Sequence, residues 1–280
     1  MKKSISMILL FAFALIIGVS FWSDWKLNAS SGSTAAAEVK TPNVKTADYV
    51  VQNGVKVFNL IAEPVKQEVS KGLFVNAWGY NGGTPGPAIV VTQGDRVKVN
   101  VTNNLPEATS VHWHGLIVPN DMDGVTGVEP GTEIKPGQSY TYEFTVKQAG
   151  TFMYHSHVQP SKQEMMGLDG LFIALPNAET ASKQAKVDRD YAILLQEWQL
   201  QDAGMTMSGM GGMEMSSYRE GQVPPGTYDV NPTGMNWNTF TFNGKQFPAT
   251  EVMEIKKGER VRVRLGNLSM QNHPIHLHGH

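Results

Sequence analysis

The chain repeats itself. Slid along its own length by 164 residues, Gly94-Asp95-Arg96-Val97-Lys98-Val99 falls on Gly258-Glu259-Arg260-Val261-Arg262-Val263, Asn103 falls on Asn267, and His112-Trp113-His114-Gly115 falls on His276-Leu277-His278-Gly279, without a gap. Strand patterns recur by chance in many proteins. A strand pattern followed by His-x-His-Gly at the same spacing does not, so the chain carries two copies of one β-rich unit. A length of 280 residues suffices to bury two substantial cores.

Short runs of β-branched and aromatic residues dominate the first copy: Val55–Ala62, Phe74–Trp78, Ile89–Val91, Val97–Val101, Ser139–Val146, Thr151–His155 and Leu171–Leu175. Gly, Pro and Asn punctuate them, as in Asn81-Gly82-Gly83-Thr84-Pro85-Gly86-Pro87. Regular short strands of this kind predict an all-β protein built of antiparallel sandwiches. The polar stretch from Pro176 to Asp190 separates a second series, with Tyr191–Trp198, Thr239–Phe242 and Val261–Leu265. The expected domains are therefore 45–178 and 179–280. Within the second, residues 204–215 hold Met205, Met207, Met210, Met213 and Met215 among Gly, Ser and Thr, which predicts a loop.

At the N-terminus, Lys2 and Lys3 precede an apolar run from Ile5 to Trp22, which marks residues 1–22 as an export signal. That run, about 18 residues long, also reaches bilayer-spanning length, so an uncleaved membrane anchor fits it equally. Either way the folded part is expected outside the cytoplasm: secreted, periplasmic or held at the outer face of the membrane. Residues 23–44, rich in Ser, Ala, Thr and Lys, read as a flexible linker, with folding beginning near Tyr49. Lys and Arg (23) nearly balance Asp and Glu (25), with no basic block, which excludes an electrostatic footprint for nucleic acid. There is no cysteine, hence no disulfide and no lipidated N-terminus.

All eight histidines fall in three groups: His112 and His114; His155 and His157; His273, His276, His278 and His280. Residues i and i+2 of a strand share a face, so each His-x-His would present two imidazoles together, as a metal site on a β scaffold requires. Imidazole serves zinc, copper, iron and nickel, so residue type alone does not name the metal.

His112-Trp113-His114-Gly115, His155-Ser156-His157 and His273-Pro274-Ile275-His276-Leu277-His278-Gly279 resemble three of the four copper motifs of multicopper oxidases. The resemblance covers roughly residues 50 to 280 and is nearest to the two-domain, laccase-like branch. It implies two cupredoxin-like Greek-key sandwiches, the second incomplete. It makes His112 and His276 ligands of a type 2 copper, and His114, His155, His157 and His278 ligands of a binuclear type 3 pair. It makes His273 a ligand of a type 1 copper, gives Asp123 a part in proton delivery, and leaves His280 outside the ligand set. Oxygen and a small reducing substrate would be the reactants, and a homotrimer the assembly.

The departures matter as much. The repeat carries His273 onto Thr109, which cannot replace an imidazole, and Ser156 stands where the family's blue-copper cysteine lies between its two histidines, so no blue site is expected in the first copy. This also argues against a copper nitrite reductase, whose blue site lies in its first domain. The missing His-Cys-His is expected near position 320, which reads the chain as a piece of a longer one. The leading expectation is an oxidase coupling one-electron oxidation of phenols, aromatic amines or cuprous ion to reduction of oxygen to water. The alternative is a non-catalytic exported copper-binding or copper-resistance protein. The methionines bear on both, because thioethers favour cuprous ion.

Overall fold

The computed structural model describes residues 37–128, 130–201 and 223–278. The export segment at 1–22, most of the linker, the methionine loop at 204–215 and His280 lie outside the described residues. Among the described residues no helix is long and apolar enough to cross a membrane.

Fourteen strands follow one another among the described residues: β1 (Val39–Lys40), β2 (Tyr49–Gln52), β3 (Val55–Ser70), β4 (Leu73–Tyr80), β5 (Gly86–Thr92), β6 (Arg96–Asn103), β7 (His112–His114), β8 (Ser139–Thr145), β9 (Gly150–His155), β10 (Asp169–Leu175), β11 (Arg189–Trp198), β12 (Gly226–Asp229), β13 (Thr239–Phe242) and β14 (Val261–Asn267). Two short helices, α1 (Pro160–Gln163) and α2 (Ala178–Ser182), interrupt them. The first repeat is a sandwich of one sheet ordered β12-β4-β3-β6-β8, with β2 beside β3, and another ordered β5-β10-β9-β7. A third sheet, β1-β11-β13 with β14 beside β11, belongs to the second repeat.

Alternation explains the first core. In β6, Val97, Val99 and Val101 are buried while the polar residues between them face outward. Trp113 fills the centre, fully buried, with Tyr142, Phe144, Tyr154 and Phe172 around its ring. The sheets are mixed rather than purely antiparallel: β3–β6, β5–β10 and β11–β14 are parallel pairs. Connections that leave one sheet and return bring strands distant in sequence side by side.

Among the described residues strand structure is already present at Val39, ahead of Tyr49, because β1 adds to the edge of β11 through Val39↔Asp190 and Lys40↔Tyr191. The repeat survives in hydrogen bonds. Asn103 Oδ1 accepts from Leu105 N at 2.8 Å and its Nδ2 donates to Glu107 O at 2.8 Å; Asn267 does the same with Ser269 N at 3.2 Å and Gln271 O at 3.1 Å. A second pair escapes the 164-residue register. Asn81 and Asn243, both at positive φ and each followed by a glycine, open equivalent tight turns. Their Oδ1 atoms accept from Ile61 N (2.6 Å) and Leu194 N (2.7 Å), and their Nδ2 atoms donate to Asn59 O (2.9 Å) and Ala192 O (3.0 Å).

Candidate metal centre

β7 lies at the edge of its sheet and pairs antiparallel with β9, placing His112 opposite His155, Trp113 opposite Tyr154 and His114 opposite Met153. Directly opposed residues project to the same face, and alternation sends Trp113 and Tyr154 into the core while His112, His114 and His155 share the other face. One nitrogen from each of these three imidazoles can be chosen so that all lie within 4.8 Å of one another.

Two of the rings are held from behind. His112 Nδ1 donates to the Asp123 carbonyl at 2.8 Å, with the Asp123 carboxylate at 3.5 Å. Gly124 makes this approach feasible: a Cβ there would lie 1.8 Å from Val111 O, and φ is +71°. His155 Nδ1 faces Glu164 Oε1 at 2.8 Å and Ser156 O at 2.9 Å. With Nδ1 so engaged, Nε2 of His112 and of His155 is the nitrogen left for a metal. His114 Nδ1 meets His155 Nε2 at 3.1 Å, so a single proton lies where the two imidazoles converge, and a cation would take its place. These residues fit a metal, by donor type and by orientation.

Electrostatics separates the three. Burial, then the neighbouring histidines, push His112 below the ordinary imidazole range, with Asp123 opposing; burial and His155 do the same to His114. Burial alone would also lower His155, but the hydrogen bond and charge of Glu164, helped by the Ser156 carbonyl and Asp169, carry it above that range. Asp169, fully buried opposite His155 in the β9–β10 ladder, is pushed up to about 7 by burial and by Glu164, against the hydrogen bond from Gln196 and the pull of His155.

His157 lies beyond the end of β9, so strand alternation does not present it. Its ring still stands 5.4 Å from that of His112 and 6.3 Å from that of His155, centroid to centroid. Among the described residues, no histidine of the second repeat joins this group. His276 and His278 are exposed with rings 4.7 Å apart, and their segment is not a strand. His273 is half-buried, with Ser269 Oγ at 2.6 Å and Glu197 Oε2 at 3.3 Å. Glu197, buried, also accepts from Met270 N (2.7 Å) and Gln271 N (3.0 Å), which anchors the loop carrying His273.

The sequence reading missed Glu164 and Glu197. A carboxylate inside the apolar run Tyr191–Trp198 was the available signal for Glu197, since buried Glu needs a partner. Glu164 carried none, because it follows a turn whose path the sequence does not reveal.

Two family models described as multicopper oxidase match residues 62–179 and 222–280. Multicopper oxidase mco of Staphylococcus aureus is 41% identical over 148 residues, which are 52% of this chain and 31% of that protein. Copper resistance protein A of Pseudomonas syringae pv. tomato is 42% identical over 127 residues, 45% of this chain and 20% of that protein. The crystal structure of a multi-copper oxidase from Pseudomonas thermotolerans superposes with a TM-score of 0.59 at 28% identity, covering 77% of this chain and 47% of that one. The chain thus spans between a fifth and a half of the length of these proteins. With two family matches that between them take in all three histidine groups, and with the cupredoxin-like fold shared by solved relatives, the chain belongs to the multicopper oxidase family.

Proposed function

We propose that this chain contributes to a copper-dependent oxidase that couples one-electron oxidation of a small donor to four-electron reduction of oxygen to water. The observation that supports it most directly is the convergence of His112, His114 and His155, with the far nitrogen of two of the rings tied to Asp123 O and to Glu164. Bound copper supplies one-electron redox change and affinity for oxygen, which no side chain offers. The protein's part is to hold neutral imidazoles in one tautomer and keep their lone pairs together.

In this reading His112 and His276 serve a type 2 copper, His114, His155, His157 and His278 a type 3 pair, and His273 a type 1 copper. The part-exposed Asp123 carboxylate passes protons toward the cluster in this reading, which its distance of 3.5 Å from His112 Nδ1 supports. Phenols, aromatic amines and cuprous ion are the donor classes. The protein works outside the cytoplasm, as a secreted, periplasmic or anchored form, with a homotrimer as its assembly. The two sandwiches divide at 45–178 and 179–280.

A type 1 site also needs a thiolate, and these 280 residues contain no cysteine. The oxidase reading is therefore tested on the full-length gene product loaded with copper, by visible absorption and oxygen uptake with phenolic donors, aromatic amines and cuprous ion. Absence of both the blue band and oxygen uptake sinks it. The similarity to copper resistance protein A favours a second reading, in which the histidines bind copper without turnover. That reading predicts copper retention with no oxygen uptake.

A further inference from the structure

The repeat register carries His273 onto Thr109, and Ser156 separates His155 from His157. Both hydroxyl side chains are fully buried, and a third buried polar residue, Gln163 at the end of α1, meets them. Gln163 Oε1 accepts from Thr109 Oγ1 at 2.9 Å and from Ser156 Oγ in a closer contact. Gln163 Nε2 donates to Glu107 Oε1 and to Ala108 O, both at 2.8 Å. The amide thus uses two acceptor sites and two donor protons, its full capacity. Its orientation is also unambiguous, because a flipped amide would aim its oxygen at a carboxylate and a carbonyl.

We propose that Gln163 is a positioning residue for the histidine cluster, a neutral clamp that ties the chain entering β7 to the turn leaving β9. The β7–β9 ladder has only three residue pairs, and among the described residues β7 has no second neighbour in its sheet. His157 lies outside the ladder altogether. Thr109 stands three residues before His112, and Ser156 lies between His155 and His157, so one side chain fixes both approaches to the cluster from the core side. Ser156 Oγ extends the hold by accepting from Val158 N at 3.3 Å. Where the second repeat has His273, the first spends the equivalent position on holding its neighbours in place.

The consequence for copper rests on the reading of these histidines as ligands, so the test begins without metal. In the metal-free chain, proton NMR should show cross-relaxation between the rings of His114 and His155, whose centroids lie 5.3 Å apart. Gln163→Leu should abolish it while the ring-current shifts around Trp113 persist, and cupric ion added alone should then bind about tenfold more weakly with an altered electron paramagnetic resonance spectrum. Combining Gln163→Glu with Glu107→Gln, which exchanges acceptor and donor between the two side chains, should restore the ring contact in part. A folded Gln163→Leu chain with the contact intact and an unchanged cupric spectrum overturns the clamp. Should that variant not fold, Thr109→Val with Ser156→Ala decides the matter by the same readouts. Loss of the contact in the variant, with no cupric binding even by the unaltered chain, upholds the clamp and removes the copper reading instead.

Discussion

The two repeats place equivalent residues in opposite surroundings. Val99 and Val101 of β6 are fully buried, whereas their counterparts in β14, Val263 and Leu265, are more than 40% exposed; Trp113 is 0% exposed and Leu277 65%. In β13 the usual polarity is inverted, with Thr239 and Thr241 inside and Phe240 and Phe242 outside. The histidines follow suit. Those of the first repeat converge because β9 lies against β7, whereas among the described residues no strand pairs with the segment holding His276 and His278. In the first repeat the His-x-His face is completed by a second strand that brings His155 opposite His112.

The contrast breaks first on core truncation. Trp113→Ala should destabilise the metal-free chain by about 3–5 kcal/mol, the range for deleting a buried aromatic. Leu277→Ala should stay within about 0.5 kcal/mol, as for an exposed side chain. Denaturant unfolding followed by circular dichroism measures both, and comparable losses would mean that Leu277 is covered in solution.

The second test uses pH. Asp169 has its folded-state pKa raised from 3.8 to about 7, so it favours folding while protonated. That contribution is complete below about pH 4 and is lost as pH rises through 7; the full swing is on the order of 4 kcal/mol. Asp169→Asn should flatten this part of the stability profile of the metal-free chain between pH 4 and 8. A wild-type profile already flat across that window would contradict the burial assigned to Asp169.

The third sharpens the comparison at the cluster. Glu164→Gln keeps the size of the side chain but removes the charge that faces His155 Nδ1, and should weaken cupric binding by about 10–100-fold, the cost of losing a partner that orients a ligand. Glu197→Gln, beside the isolated His273, should leave that affinity unchanged. Isothermal titration of both variants at pH 7 distinguishes them, and equal losses would mean that His273 already shares the first cluster's metal.

The sequence made the histidine groups and the β architecture legible because both rest on spacing. The strand runs from Val55 to Leu175 were read within a few residues of the observed elements, except that β3 runs on to Ser70 to pair along β4. What stayed hidden depends on contact between distant segments. β12 docks on β4 through Gly226↔Leu73 to Asp229↔Asn76, a pairing across the repeats that no local pattern announces. The equivalence of Asn81 and Asn243 escaped because two residues have slipped out of register before the second turn. Glu164 and Gln163 were invisible because α1, starting from Gln159 at positive φ, redirects the chain back over Ser156. For the second repeat, strand alternation was extended to His276 and His278, which the structure leaves outside any strand.

The smallest expected difference concerns the paired asparagines, and it separates sequence identity from energetic weight. Asn103 and Asn267 make the same two local bonds, to the residues two and four positions on. Asn103 is fully buried and adds a third bond, from Nδ2 to Ile134 O at 2.7 Å. Removing it strips the buried Leu105 N–H and the Glu107 carbonyl of this partner, while Ile134 O keeps its bond from Thr109 N, and should cost about 1–3 kcal/mol. Asn267 is exposed, so water replaces its bonds and Asn267→Ala should cost about 0.5 kcal/mol or less. If Asn267→Ala proved as costly as Asn103→Ala, the loop that leads toward His273 would be packed in solution much as its counterpart is.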